Sequence, residues 1–324
     1  MLKPRPLILF LDAGTVDLGD VDLEELKKGG DVVLLNKRAG ESLPREAARA
    51  EVVISNKYFL GSEEMERLPA LKLVAVAATG TNNVDLAEAR RRGVSVCNVP
   101  GYSTATVVEH TLMMLLAFSH RLVEHVEAVR AGDWSRSPCF ALLNFPFSDL
   151  DGKTLGILGH GDIGKRVGTL AKALGMKVRI GKLPGRTYRK NEKRDSLEEL
   201  LSKSDYVSLH CPLTDSTKGL IDREKLSWMK PGAYLLNMAR GPLVVESSVA
   251  AALRAGGLAG YGADVCSQEP PPSNHPLLAK DIQSKVLMTP HVAWASRESR
   301  QRLIEQIARN IHAFFRGKKL NRVP

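Results

Sequence analysis

The sequence predicts an α/β protein of two doubly wound domains with parallel sheets, the second domain being inserted into the first. The chain has 324 residues, which is too long for one ordinary hydrophobic core. Strand-like and helix-like segments alternate along it, and this order favours parallel strands joined by crossover helices. The alternation is interrupted once, by a helical pattern without Gly or Pro at residues 103–131. This interruption marks the start of the second domain.

The strand candidates form two series on either side of that helical pattern. Five precede it: Leu7–Leu11, Val32–Leu35, Val52–Ile54, Leu71–Val76 and Val94–Cys97. Six follow it: Thr154–Leu158, Lys177–Ile180, Tyr206–Leu209, Ala233–Leu236, Leu258–Ala263 and Val286–Met288. A last helical pattern, Ser296–Phe315, carries apolar residues at helical spacing. We expect this helix to return to the first domain.

Composition narrows the functional class. A formal charge of +10 and a pI near 9.5 are compatible with a polyanionic partner, but the basic clusters are not interleaved with aromatics. We therefore expect no nucleic-acid partner and a basic surface that attracts small anionic metabolites. No apolar stretch approaches the ~20 residues of a membrane span, so no membrane association is expected. Four widely spaced cysteines without a CxxC pair predict a reducing cytoplasm and no metal site.

A glycine-rich turn follows the first strand of the second series. Gly159 permits a tight turn, Gly161 lets the backbone approach a pyrophosphate, and Gly164 allows close packing of the next helix on the strand. The start of that helix offers N–H groups and a positive dipole end to phosphates. The pattern predicts a Rossmann-like NAD(P)-binding domain at residues 104–294. Residues 1–103 with 295–324 are then the substrate (catalytic) domain.

The end of the next strand bears on the choice of cofactor. An acidic residue there commonly binds the ribose hydroxyls of NAD. In this chain Lys182 stands at that point, and Arg186, Arg189 and Lys190 follow. Either the basic residues bind the 2′-phosphate of NADP, or they form a solvated loop that contacts nothing. We expect NAD or NADP as cofactor, with Lys182 and Arg186 favouring NADP.

Three polar residues follow strand candidates in the second domain. Arg240, Glu269 and His291 each come just after a buried strand, and ligands of open α/β sheets bind outside the carboxyl ends of strands. A guanidinium can bind both the carboxylate and the carbonyl of a 2-keto acid. A histidine can protonate the alkoxide that hydride addition leaves, and a neighbouring carboxylate favours its protonated form. Each residue alone could equally be a salt bridge, a turn residue or a loop histidine.

Short blocks extend this pattern through both halves of the chain. They are Gly159–Gly164, His210-Cys-Pro-Leu-Thr214, Met229-Lys-Pro-Gly-Ala233, Asn237-Met-Ala-Arg-Gly241, Gly262-Ala-Asp-Val265 with Glu269-Pro270, Thr289-Pro-His291, Ala78–Asp85 and Asn98–Thr104. In combination they resemble the D-isomer-specific 2-hydroxyacid dehydrogenase family. The segment from His291 to Glu298 resembles its glycerate dehydrogenase (hydroxypyruvate reductase) branch, which implies hydroxypyruvate/D-glycerate as substrates, with glyoxylate/glycolate as a second pair.

The resemblance also implies roles for individual residues. Arg240 would bind substrate, His291 would be the acid/base paired with Glu269, and the backbone at Thr79 and Gly80 would hold the substrate carboxylate. Asp264 would hold the nicotinamide carboxamide. The remaining expected cofactor contacts are Thr106, Gly159, His160, Gly161, Asp162, Ile163, Gly164, Lys182, Cys211, Pro212, Thr217, Met238 and Ala239.

Some alternatives remain open from sequence. Glu269, rather than glutamine, argues against a formate dehydrogenase of the same superfamily, but corepressors that resemble this family and sense NAD(H) can keep the same three residues. Family members are typically dimers. The helical pattern Thr104–Arg130 and the apolar loop Phe140–Phe147 would form the two-fold interface of a homodimer.

Overall fold

A computed structural model describes residues 5–38, 40–189 and 191–323 of the chain. The chain divides into two compact units: residues 1–103 with 294–324 form the first, and residues 104–293 form the second. Each unit holds one sheet whose strands pair in parallel, with helices between the strands. The predicted fold class is thus confirmed. Among the described residues, every helix is too short or too polar to cross a bilayer.

The first unit contains a five-stranded sheet in the order β2-β1-β3-β4-β5. Its strands are β1 (Leu7–Phe10), β2 (Asp31–Leu34), β3 (Ala50–Ser55), β4 (Leu73–Val76) and β5 (Ser95–Cys97). Its helices before the insertion are α1 (Glu24–Lys27), α2 (Ser62–Glu66) and α3 (Leu86–Arg91). The inner strands β1, β3 and β4 are almost wholly buried, because helices cover both faces of a parallel sheet.

The second unit contains a six-stranded sheet in the order β11-β10-β9-β8-β6-β7. It opens with α4 (Thr104–Ser119) and α5 (Leu122–Arg130). Its strands are β6 (Thr154–Leu158), β7 (Lys177–Ile180), β8 (Tyr206–Leu209), β9 (Ala233–Asn237), β10 (Leu258–Ala263) and β11 (Val286–Met288). The helices between them are α6 (Asp162–Ala173), α7 (Leu197–Lys203), α8 (Arg223–Ser227) and α9 (Glu246–Arg254). The strand order reverses beside β6, where ligands of such sheets bind.

One expectation is wrong: the helical pattern at residues 103–131 is two helices, α4 and α5. The break falls at Arg121, which has a φ of 50° and therefore leaves the right-handed helical region. The carbonyl of Ser119 accepts a hydrogen bond from the backbone N–H of Ser148 at 3.1 Å instead of from a next helical turn. The later chain thus terminates α4, and no Gly or Pro in the sequence marks the break.

The last helix, α10 (Arg297–Phe315), belongs to the first unit as expected. The hydroxyl of Ser296 caps it by accepting the N–H of Ser299 at 3.2 Å. Its apolar stripe, Leu303, Ile304, Ile307 and Ile311, is fully buried in the same cluster as β1, β3 and β4 side chains. The unit therefore closes with residues from both ends of the chain.

Candidate active site

The carboxyl ends of the second unit's strands lie at one edge of its sheet, because all six strands are parallel. The predicted glycine turn follows β6, and Lys182 follows β7. Cys211 and Pro212 follow β8, while Arg240, Glu269 and His291 follow β9, β10 and β11. The topology thus brings the loops of the predicted cofactor and catalytic residues to the same edge.

The glycine turn requires glycine for two different reasons. Gly159 has a φ of 103°, and a Cβ there would lie 2.4 Å from the carbonyl carbon of His210. A Cβ at Gly164 would lie 2.0 Å from the carbonyl oxygen of Gly159. At Gly161, by contrast, a Cβ would have no heavy atom within 4 Å. The turn is therefore tightly packed on the protein side and open at Gly161, the start of α6, which is the arrangement that fits a pyrophosphate.

Basic side chains act on the glycine turn. His160, the half-buried residue between the first two glycines, has its pKa lowered first by burial and then by the charges of Arg194, Lys165 and Lys172. Asp162 and Ile163 begin α6 directly after the turn. The three basic side chains act on this region, Glu192 opposes them in part, and the N–H groups at the start of α6 would favour phosphate groups.

The loop after β8 packs against the glycine turn. Cys211 and Thr217 are buried in it, and the Thr217 hydroxyl donates to the carbonyl of Pro212 at 2.8 Å. The same hydroxyl accepts the N–H of Thr214 at 2.8 Å, so it closes the loop on itself. His210 contacts the Ser208 hydroxyl through Nε2 at 2.9 Å, and burial lowers its pKa to about 4. The loop thus presents its backbone at the sheet edge.

The basic loop after β7 is exposed at Lys182, Arg186 and Arg189, and Lys190 lies outside the described residues. The backbone of Lys182 is held by the carbonyl of Asp195 at 2.9 Å. Burial raises the pKa of the Cys211 thiol to about 11, and the positive charge of Arg186 opposes part of that rise. The loop therefore carries at least one cation close to the sheet edge.

The carboxylate of Glu269 and the imidazole of His291 are in direct contact. Glu269 Oε2 lies 2.6 Å from His291 Nδ1, and Glu269 Oε1 accepts the backbone N–H of Cys266 at 3.0 Å. Since a carboxylate accepts, Nδ1 is the donor, and Nε2 is the ring nitrogen directed away from the pair. Both side chains are partly exposed. This is the geometry of a histidine oriented for proton transfer.

The turn that carries His291 is anchored on Asp264. His291 has a φ of 55°, a left-handed conformation that costs about 1–3 kcal/mol for a residue other than glycine. Asp264 is 2% exposed, and its carboxylate accepts the Thr289 hydroxyl at 2.6 Å and the backbone N–H groups of Val292 and Ala293 at 2.9 and 2.8 Å. These three bonds lie on both sides of His291, so they hold the turn in its strained form.

A histidine from α4 completes this network. His110 Nε2 lies 2.9 Å from the Thr289 hydroxyl, which donates onward to Asp264. The hydroxyl must then accept from the imidazole. Burial lowers the pKa of His110, and the Asp264 charge opposes part of that shift. Neither His110 nor Thr289 was assigned a role from sequence, because a contact across 179 residues leaves no local pattern.

Arg240 stands at the end of a turn built by Asn237. The buried Asn237 side chain donates to the carbonyl of Arg240 at 2.9 Å and accepts the N–H of Ala239 at 3.1 Å. Met238 and Ala239 lie between them, buried and half-buried. The Arg240 side chain is exposed, and its Nη1 donates to the Ala239 carbonyl at 2.7 Å. The guanidinium is thus accessible to a ligand on a well-fixed backbone.

The remaining predicted site residues lie elsewhere. Thr79 and Gly80 follow β4 in the first unit, where the Thr79 hydroxyl donates to the carbonyl of Val99 at 3.0 Å. The carbonyl of Thr79 accepts the Asn98 side chain at 2.6 Å. Thr106 is half-buried in the first turn of α4 in the second unit. The loops after β4 and β5 are thereby joined in the first unit.

Comparison with known proteins shows the family. Residues 112–293 match the family described as D-isomer specific 2-hydroxyacid dehydrogenase, NAD binding domain. The chain is 36% identical to a hydroxypyruvate reductase of Blautia hydrogenotrophica, over 97% of this chain and 98% of that protein. It is 41% identical to a glycerate dehydrogenase of Methylorubrum extorquens, over 87% and 88%. The chain belongs to the D-isomer specific 2-hydroxyacid dehydrogenase family.

Solved structures agree with this assignment. A Thermus thermophilus protein superposes with a TM-score of 0.85 at 36% identity, covering 98% of this chain and all of that one. An NADPH-dependent glyoxylate/hydroxypyruvate reductase of Sinorhizobium meliloti, in complex with NADP and malonate, superposes with a TM-score of 0.81 at 27% identity, covering 98% and 97%. The protein is therefore an oxidoreductase of the D-2-hydroxyacid dehydrogenase type that uses a nicotinamide cofactor.

The two kinds of glycine in the turn make a paired prediction. Gly161→Ala should leave the melting temperature unchanged, since its methyl group meets open space, yet weaken NAD(P)H binding at least tenfold by standing where the pyrophosphate approaches. Gly164→Ala should instead lower the free energy of unfolding by about 1–3 kcal/mol, because its methyl group overpacks the turn. Thermal unfolding and fluorescence titration with NADH and NADPH measure both. Wild-type cofactor affinity in Gly161→Ala would remove the turn from the cofactor site.

Proposed function

We propose that the protein reduces hydroxypyruvate to D-glycerate, and glyoxylate to glycolate as a second reaction. The observation that carries the proposal is the Glu269–His291 pair, 2.6 Å apart, at the sheet edge that also bears the glycine turn. The names of the relatives support the choice of substrate: a hydroxypyruvate reductase, a glycerate dehydrogenase and several archaeal glyoxylate reductases. No feature of the site favours a corepressor-like sensor instead.

Two side chains would act on the substrate. Arg240 is exposed on a fixed turn, and its planar guanidinium would bind the carboxylate and the C2 carbonyl together. When bound, the nicotinamide supplies the hydride to C2. His291 would donate the Nε2 proton to the resulting alkoxide, while Glu269 at Nδ1 stabilises the imidazolium beforehand and fixes the ring. In the oxidation direction the same nitrogen would accept the hydroxyl proton.

The other expected contacts concern the dinucleotide and the substrate carboxylate. The second unit, with its glycine turn and the loop after β8, would hold the dinucleotide. The backbone of Thr79 and Gly80 stays the predicted contact of the substrate carboxylate. Asp264 was expected to hold the nicotinamide carboxamide, but its oxygens already accept bonds from Thr289, Val292 and Ala293. We therefore assign Asp264 first to positioning His291, and its contact with the carboxamide stays a prediction.

The substrate assignment is tested by activity. We expect NAD(P)H oxidation with hydroxypyruvate and, more weakly, glyoxylate, and kcat/KM for hydroxypyruvate lowered by about a hundredfold or more in Arg240→Lys. A single ammonium cannot reproduce the two-point contact of the guanidinium. Arg254→Lys is the matched control, since this exposed arginine pairs with Asp281. Equal kcat/KM in the two variants would exclude Arg240 from the mechanism, and inactivity with every 2-keto acid would refute the function.

For the cofactor we propose that NADPH is accepted with a modest preference over NADH. Lys182 occupies the place of the acid that binds NAD ribose, and Arg186 lies close enough to lower the pKa of the Cys211 thiol. A 2′-phosphate placed there would gain charge-assisted contacts worth about 1–3 kcal/mol. Screening of exposed lysines by water and salt limits the gain. Similar proteins were solved with either cofactor: the Sinorhizobium meliloti reductase with NADP and a D-lactate dehydrogenase of Aquifex aeolicus with NAD.

Lys182→Asp should shift the NADPH/NADH ratio of kcat/KM toward NADH, by about tenfold to a hundredfold if the full phosphate contact is lost. Lys280→Asp carries the same change in net charge at another exposed lysine, and it should leave the ratio unchanged. Both ratios are measured at one fixed salt concentration, because surface electrostatics depends on it. A wild type that strongly prefers NADH, with no response to Lys182→Asp, would show that the loop does not touch the ribose.

We further propose that the protein is a cytoplasmic homodimer. Its four cysteines are free, as expected in a reducing compartment. Apolar side chains of α5 and the loop after it are exposed in one chain, with Phe140 at 94% and Leu143 at 80%. Leu122, Val129 and Trp134 of the same segment are about half exposed. Large apolar side chains exposed together on one segment fit an interaction site, and a second copy of the chain would cover them.

Sedimentation equilibrium should therefore give twice the 35.4 kDa chain mass at micromolar concentration. Replacing Phe140 and Leu143 together by serine should shift the equilibrium to monomer, because the most exposed apolar contacts are lost. Leu18→Ser, at a 74% exposed leucine in the first unit, is the control and should stay dimeric. A wild type that sediments as a monomer would end the proposal.

A further inference from the structure

A buried set of three ionisable side chains lies behind the loop that carries Glu269. Glu246, Cys266 and His275 are 7%, 6% and 7% exposed. One ligand atom from each, a carboxylate oxygen, the thiol sulfur and an imidazole nitrogen, lies within 4.8 Å of the other two. These three residue types are common protein ligands of zinc. The set is separate from the Glu269–His291 pair and from the glycine turn.

The Glu246 carboxylate is a buried anion that is held by hydrogen-bond donors. It accepts the backbone N–H of Ser267 at 2.9 Å, the Ser267 hydroxyl, and His275 Nε2 at 3.0 Å. His275 Nδ1 accepts the N–H of Leu277 at 3.4 Å, so Nε2 is the nitrogen that donates to Glu246. Among the described residues, His275 is the one ion-pair partner that Glu246 has. The start of α9 and these donors stabilise the carboxylate, and a cation would add a full counter-charge.

A second observation points to the same place. Tyr261 is fully buried, and its hydroxyl, which lies close to the Asn237 side chain, has no partner at full hydrogen-bond geometry among the described residues. Burial raises the pKa of Tyr261, the Asn237 side chain lowers it in part, and the charges of Glu246 and Cys266 raise it further. A buried hydroxyl without a partner calls for an explanation such as an ion or a water. A metal-bound water in the fourth position of a tetrahedral site would be that partner.

We propose that Glu246, Cys266 and His275 form a binding site for a thiophilic divalent cation, Zn²⁺ in the first instance. Carboxylate, thiolate and neutral imidazole are the mixed ligand set that zinc accepts with tetrahedral geometry, and hard cations such as Mg²⁺ disfavour sulfur. Burial raises the pKa of the Cys266 thiol to about 11, so the thiol keeps its proton in the metal-free protein. Zinc would replace that proton, which is released to solvent.

The site is joined to the catalytic loops by backbone contacts. The N–H of Cys266 donates to Glu269 Oε1 at 3.0 Å, and a Cβ at Gly241 would lie 1.9 Å from the Cys266 carbonyl carbon. Ligation of the Cys266 sulfur would therefore displace the backbone that contacts Glu269 and the turn that follows Arg240. We infer, on the basis of the proposed function, that bound zinc lowers the rate of keto-acid reduction.

Metal binding is tested first, without reference to activity. The full chain carrying Cys139→Ser, which removes the exposed thiol, is stripped with a chelator and titrated with Zn²⁺ and Co²⁺. We expect one equivalent bound, a thiolate-to-cobalt charge-transfer band, and a zinc X-ray absorption spectrum with one sulfur at about 2.3 Å and nitrogen or oxygen at about 2.0–2.2 Å. A first shell of nitrogen and oxygen alone, or no stoichiometric binding, would overturn the site.

Substitutions then locate the metal. Adding Cys266→Ser or His275→Gln to Cys139→Ser should weaken zinc binding by more than about tenfold. Loss of a residue that only supports a metal ligand already costs about that much. Adding Cys97→Ser, at a buried cysteine of the first unit, should not change it. Thermal unfolding in the presence of the chelator checks that each variant is folded. If a variant does not fold, the X-ray absorption spectrum of Cys139→Ser still tests the site. Unchanged affinity in folded Cys266→Ser would place the metal elsewhere.

The effect on catalysis is measured last. Saturating zinc should lower kcat for hydroxypyruvate at least tenfold in Cys139→Ser. In the variant that carries both Cys139→Ser and Cys266→Ser, the same zinc concentration should leave kcat unchanged. Stoichiometric binding with unchanged kcat would refute the coupling to Glu269. A chain that binds zinc but reduces no 2-keto acid in its absence would instead refute the proposed function and leave the metal site intact.

Discussion

The parallel pairing of β8, β9, β10 and β11 is the constraint on which the rest of the structure depends. It places four successive loops at one sheet edge, so Arg240, Glu269 and His291 share that edge although 51 residues separate the first from the last. The same edge receives the glycine turn after β6, beside the point where strand order reverses. The strand order alone therefore brings the cofactor loops and the acid/base loops to one edge, whatever the conformations of their side chains.

Side-chain geometry at this edge rests on a buried carboxylate. Asp264 is desolvated, and the three donors it gathers from residues 289–293 satisfy it while holding His291 at a positive φ. The strain at His291 and the burial of Asp264 therefore offset each other within one turn. His110 extends this network to α4, and Glu246 with His275 holds the adjacent loop at Ser267. The catalytic pair is partly exposed, but its supports are buried.

Local patterns predicted much of the fold and less of the site. Strands β6, β7, β8, β10 and β11 have the predicted limits, because apolar runs bounded by turn residues are local signals. The break between α4 and α5 depends on Arg121 and on a contact with Ser148, so periodicity could not reveal it. Arg240, Glu269 and His291 stood out as polar residues after strands. His110, Glu246 and His275 act through partners distant in sequence, and no spacing rule connects Glu246, Cys266 and His275.

The central claim is that Glu269 holds His291 in the form that donates a proton, and the pH dependence of keto-acid reduction tests it most directly. The measurement is kcat/KM for hydroxypyruvate against pH in wild type, Glu269→Gln and His291→Ala. The neutral amide of Glu269→Gln no longer favours imidazolium. As the pH is raised, this variant should therefore lose activity at a lower pH than wild type does, while His291→Ala should be inactive at every pH. A Glu269→Gln profile that coincides with that of wild type would show that the two side chains, although 2.6 Å apart, do not work as a pair.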